Sequence, residues 1–105
     1  MPNRHRGEIE ADIGGRRRTL VLTLGALAEL EAAFGEGDLV ALAERFAKGR
    51  MSARDLISII SAGLRGAGES VSDDEVARMA VPGGAEGYVR ITADLLDATF
   101  GTAGT

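Results

Sequence analysis

The sequence predicts an α+β domain that is mostly α, with an N-terminal two-stranded β-hairpin packed on a bundle of four to five short helices. Three observations predict it. Apolar and polar residues alternate on both sides of a diglycine near the N-terminus. From Leu27 onward the apolar residues recur at helical spacing instead. Glycines and N-cap residues punctuate that second pattern at short intervals, so the helices are several and short.

The hairpin comes first. Ile9, Ala11 and Ile13 share one face of a strand, and Glu8, Glu10 and Asp12 share the other. Beyond Gly14-Gly15, Leu20, Leu22 and Leu24 alternate with Thr19, Val21 and Thr23. A two-residue turn of type I′ or II′ joins such strands, and its positive φ suits glycine. In that register Ile13 faces Arg16, Asp12 faces Arg17, Ala11 faces Arg18 and Ile9 faces Leu20. A loop one residue longer shifts the register by one. Cross-strand pairs such as Asp12 with Arg17 contribute about 0.2–1 kcal/mol each. An isolated hairpin is marginal in water, so its apolar face must rest on the helices.

Leu27, Leu30 and Phe34 begin the helical pattern, with Ala28, Ala32 and Ala33 as strong helix formers and Gly35 as the stop. Asp38 is the expected N-cap of a second helix, whose stripe is Leu39, Leu42, Ala43 and Phe46 and which ends at Gly49. Ser52 caps a third helix containing Leu56, Ile57, Ile59, Ile60 and Leu64. Its apolar arc is the widest in the chain, which makes it the expected central helix. Gly63 falls inside that arc, where another element packs close, and Gly66 and Gly68 break the pattern. Ser72 and Glu75 form a capping box for a short helix through Val76 and Met79. Val81-Pro82-Gly83-Gly84 is a turn, and a last helix runs from about Ala85 to Phe100 with Tyr88, Ile91, Leu95 and Leu96 inward.

The chain of 105 residues suits one domain, residues 7–100, between a flexible arm at 1–6 and a frayed tail at 101–105. There is no internal repeat. Cysteine is absent, which rules out disulfides, zinc-thiolate sites and cysteine nucleophiles. No apolar stretch approaches the roughly 20 residues that cross a bilayer. The N-terminus also lacks the apolar segment of a secretory signal, and a cytoplasmic location is expected. Residues 1–18 carry a balance of +2 and residues 19–105 a balance of −6. An acidic body with a small basic end matches a nucleic-acid binder poorly, because such proteins present a net basic footprint.

The motifs carry little chemistry. The stretch Gly14-Gly15-Arg16-Arg17-Arg18 has neither the spacing of a phosphate loop nor a following helix whose dipole could hold an anion. It reads as a turn with solvated arginines. His5, the single histidine, has no second ligand or triad partner at motif spacing. Asp73-Asp74-Glu75 sits in the first turn of a helix, where acids complement the dipole, and lacks the spacing of a calcium loop. Tyr88 reads as a residue at the edge of the core. Gly63 to Gly68 follows a helix and reads as its stop. No nucleophile, base and orienter can be assembled, so no enzymatic activity, metal or cofactor is expected. What remains is surface. The outer side of the hairpin, with Arg16, Arg17, Arg18, Thr19, Val21 and Thr23, is the candidate protein-binding face. The hairpin edges offer unpaired backbone groups to a partner strand or to a second copy.

Six blocks in this order resemble a known family: R-G-E-I-E, L-T-L-G-A-L-A-E-L-E-A-A-F-G, D-L-V-A-L-A-E-R-F, S-A-R-D-L-I, G-L-R-G-A-G and D-D-E-V. The resemblance covers about Arg4 to Phe100 and is to small proteins from the tail-morphogenesis region of gene transfer agents and related tailed phages. That family is described both as tail-tube proteins and as tail assembly chaperones. The resemblance implies a non-enzymatic tail assembly factor that binds the tape-measure protein, with the tail tube protein as a further partner. A structural tube component is the alternative, but tube subunits resemble β-sandwiches that close into rings and need many strands, whereas this sequence offers one hairpin and then helices. A nucleic-acid-binding module using Arg4, Arg6 and Arg16 to Arg18 is the weakest reading.

Overall fold

The hairpin forms in the expected register. The computed structural model describes residues 6–35 and 39–101. Strands β1 (Glu8–Ile13) and β2 (Arg16–Val21) are antiparallel, with Ile13 opposite Arg16, Asp12 opposite Arg17, Ala11 opposite Arg18 and Ile9 opposite Leu20. Gly14 and Gly15 have φ of 64° and 85°, the two positive values of a type I′ turn. Five helices follow among the described residues: α1 (Leu24–Phe34), α2 (Leu39–Ala47), α3 (Ala53–Gly66), α4 (Asp73–Ala77) and α5 (Gly84–Phe100).

Their ends lie where local chemistry puts them. The Thr23 hydroxyl accepts from the Ala26 amide, and Gly35 closes α1 in the left-handed conformation. Ser52 with Asp55 and Ser72 with Glu75 form reciprocal capping boxes at the starts of α3 and α4. The expected cap Asp38 lies outside the described residues, as do His5, Arg4 and residues 102–105.

Helix α3 is central, as its wide apolar arc predicts: it touches α1, β2, α4 and α5. Ile59, Ile60, Ala62 and Leu64 are fully buried on it. The inward face of the hairpin, Ile9, Ala11, Ile13, Leu20 and Leu22, lies in the same core with Leu30, Leu42, Val76 and Leu95. This is one sheet-on-helix layer pair. Its radius of gyration is 12.5 Å, close to the roughly 13 Å expected for a folded chain of this length.

Three sequence expectations need correction. Alternation does not run to Leu24: β2 ends at Val21, Leu24 is 85% exposed, and Thr23 is a helix cap instead of a strand residue on the outer face. The bend after Leu22 ends the strand because α1 needs an extended cap residue, and Thr23 supplies both the geometry and the oxygen. Helix α3 does stop at Gly66, but Gly63 to Gly66 form its last turn and do not follow it, and at Gly66 a Cβ would collide with the carbonyl oxygen of Val21. Its missing side chain lets the end of β2 lie directly on the helix. Arg18 is not solvated, since the strand register that places it opposite Ala11 turns it to the inner side.

Candidate interaction surface

The arginine triplet is held by carboxylates of the same chain. Arg17 donates to Glu10 at 3.2 Å and lies 3.5 Å from Asp12, so it spans the outer face of its partner strand. Glu10, with Asp12 adding to it, raises the Arg17 pKa above the ordinary arginine value. Arg16 reaches Glu69 at 3.5 Å. Arg18, with only 10% of its side chain exposed, also pairs with Glu69, and its Nε donates to the Ile13 carbonyl at 2.8 Å. The turn is occupied in the same way: the Gly14 amide donates to Ala80 O at 2.8 Å. An anion arriving at this bend would have to displace the chain's own acceptors.

Of the residues expected on the binding face, Arg16 and Arg17 are exposed and ion-paired, and Thr19 and Val21 are half-buried. Arg18 is tied inward and Thr23 caps α1. The hairpin therefore brings the triplet together but commits its charge internally. Asp73 pairs with Arg65 at 3.2 Å, and the Glu75 side chain accepts from the Ser72 amide, so this acidic run serves a helix terminus and an ion pair. Arg65 also reaches Glu29 at 2.7 Å and donates to Val71 O at 3.0 Å, linking α1, α3 and the α4 entry. Among the described residues no group of three or more His, Asp and Glu side chains could hold a metal ion. None of their helices is long and apolar enough to cross a membrane.

A second surface lies away from the hairpin. An apolar hollow of about 400 Å³ opens between the first turns of α3, the end of α4 and the start of α5. Leu56, Ile57, Val81 and Tyr88 form its floor and walls, while Ala53, Ala77, Ala80 and Ala85 leave it open. The Tyr88 hydroxyl donates to Met79 O, so the one polar side chain in the lining is engaged. A second hollow of about 230 Å³, lined by Phe46, Ala47, Met51 and Val89 among others, shares Leu56 with the first. The two hollows adjoin at Leu56, and this apolar surface from the end of α2 to the α4–α5 turn is termed the trough. Val89 is 46% exposed in it.

Among the described residues, cations without an ion pair neighbour this trough in sequence, and Arg6 and Arg90 lack one elsewhere. Arg16, Arg17, Arg18, Arg45 and Arg65 all have carboxylate partners. Lys48, Arg50, Arg54 and Arg78 are exposed, and among the described residues none of them has an ion pair. All four neighbour trough-lining positions in sequence: Lys48 follows Ala47, Arg50 precedes Met51, Arg54 follows Ala53, and Arg78 follows Ala77. Reading the sequence alone misses this surface, because its lining comes from four helices and the connections between them, with small alanine side chains at several positions. The available signal is the run from Arg45 to Arg54, which holds four cations and no acid.

A hairpin-on-helices domain of this size is not confined to one function, so the class of the protein comes from comparison. Over residues 6–102 the chain matches the family described as "Phage tail tube protein, GTA-gp10". The chain belongs to that family, and its role is associated with the tails of phages or gene transfer agents. No curated protein and no solved structure matches it.

Proposed function

We propose that this protein is a non-enzymatic assembly factor for a phage-like tail, a cytoplasmic chaperone that binds the tape-measure protein before the tube polymerises around it. The observation that carries this reading is the sheet: the described residues hold one two-stranded hairpin and five helices. A subunit that closes into a tube by strand pairing needs more strands than this, whereas a helical domain with an open apolar trough suits a long helical client. Shielding apolar surface on such a client prevents its aggregation during assembly. The tube protein is the second partner this reading assigns, and pairing through a hairpin edge is the route it assigns to self-association.

Coexpression with the tape-measure protein of the same gene cluster tests the reading. The expected result is a more soluble client and a complex that co-purifies. Mass spectrometry of purified particles separates the structural alternative, which the family's tube description favours: a chaperone is absent from the finished tail and a tube subunit abundant. For the nucleic-acid alternative, five phosphate contacts would give a salt slope of about −4.5 on duplex DNA. With Arg16 to Arg18 paired internally, no mobility shift is expected even at low salt.

A further inference from the structure

The trough has the chemistry of a particular ligand. Its walls are apolar side chains of the helices and of the connections between them, and the one polar side chain among them, the Tyr88 hydroxyl, is engaged. An extended peptide lying there would leave its backbone N–H and C=O groups without partners. A helix satisfies its own backbone and needs only side-chain contact. The alanines at 53, 77, 80 and 85 let another helix approach closely, as ridge-into-groove packing requires. A small polar molecule finds no convergent donors or acceptors. Charge adds sign: Lys48, Arg50, Arg54 and Arg78, each next in sequence to a lining residue, are exposed without ion pairs among the described residues, against one such acid, Glu86 beside Ala85, on a chain whose net charge is −4. Unpaired cations beside an apolar surface select and steer an acidic partner.

We propose that this trough binds an amphipathic α-helix whose apolar stripe is flanked by aspartate and glutamate, and that the tape-measure protein supplies that helix. The second clause rests on the chaperone reading; the first does not.

Ala85→Glu tests the site. Ala85 is exposed in the first turn of α5, where an acid suits the helix dipole, so the fold is retained while bulk and like charge enter the trough. The probe is a labelled synthetic helix with one leucine stripe flanked by glutamate, read by fluorescence anisotropy. It should bind the wild-type chain and bind Ala85→Glu at least about tenfold more weakly, a loss typical of blocking a buried anchor. Arg54→Glu with Arg78→Glu should weaken it comparably and should favour a lysine-flanked version of the same helix. A probe that fails to bind the wild type, or binds Ala85→Glu equally well, overturns the assignment. So does a wild-type dimer that Ala85→Glu dissolves, because a second copy would then be the occupant. Coexpression separates the two readings. A tape-measure complex that survives Ala85→Glu removes the tape-measure protein as the occupant of the trough and leaves the chaperone. Absence of any complex with the wild type removes the chaperone and the named source, while the peptide still decides what the trough accepts.

Discussion

At the scale of single residues, close approach and buried polarity decide what can be changed. Gly66→Ala would place a Cβ against the Val21 carbonyl, and backbone has to move to admit it. Overpacking of this kind costs about 1–3 kcal/mol, more than the roughly 1 kcal/mol that alanine gains over glycine in a helix. Urea unfolding should show net destabilisation. At Gly63 a Cβ would lie 2.8 Å from Leu95 Cδ2 and 3.2 Å from Leu20 Cβ, so the helix centre is closed to side chains from two directions. Ser61 behaves oppositely. Its hydroxyl is fully buried on α3 without a hydrogen-bond partner. Ser61→Ala removes that unmet group and should raise stability by about 1 kcal/mol, again by urea unfolding.

Among elements, the hairpin is secured at three places. Its inner face enters the core, its turn amide bonds Ala80 O, and Arg18 reaches the α3–α4 connection through Glu69. Breaking a buried pair costs about 3–5 kcal/mol, and partial exposure of Glu69 lowers that figure. Arg18→Ala should therefore destabilise by about 2 kcal/mol, with earlier hydrogen exchange in β1 and β2 than in α3. The short α4 depends on its cap: Ser72→Ala should cost about 1 kcal/mol by thermal or urea unfolding. The hairpin, its two-residue glycine turn and most helix limits were legible in sequence because they depend on neighbours within a few residues, while the choice of type I′ over II′ came from the structure. The end of β2 was not, because Leu24 continues the alternation and nothing local shows that it faces solvent.

For the whole molecule, charge is divided between two tasks. Carboxylates hold Arg17 and Arg65 in their charged form: Glu29, with Asp73 adding to it, raises the Arg65 pKa above the ordinary arginine value. A pKa raised on folding stabilises below the unfolded value and loses that contribution only as pH climbs through the folded one. The guanidinium side of these pairs therefore stays charged across the neutral range, and a pH titration of stability between 6 and 9 should show no step from them. The cations around the trough have no such partners among the described residues and are available to an acidic protein. Complex formation with the tape-measure protein should accordingly weaken as salt rises, which a pull-down at increasing ionic strength measures.

Taken alone, the sequence determined the fold class, the hairpin, the central helix and the family, because periodicity, caps and block order are properties of contiguous residues; the structure chose between the two registers. Only the tertiary structure decided where the free surface lies. It folded Arg18 inward, paired the remaining hairpin arginines and opened a trough between elements distant in the chain. Those outcomes depend on which side chains meet across the core, and no local pattern encodes such meetings.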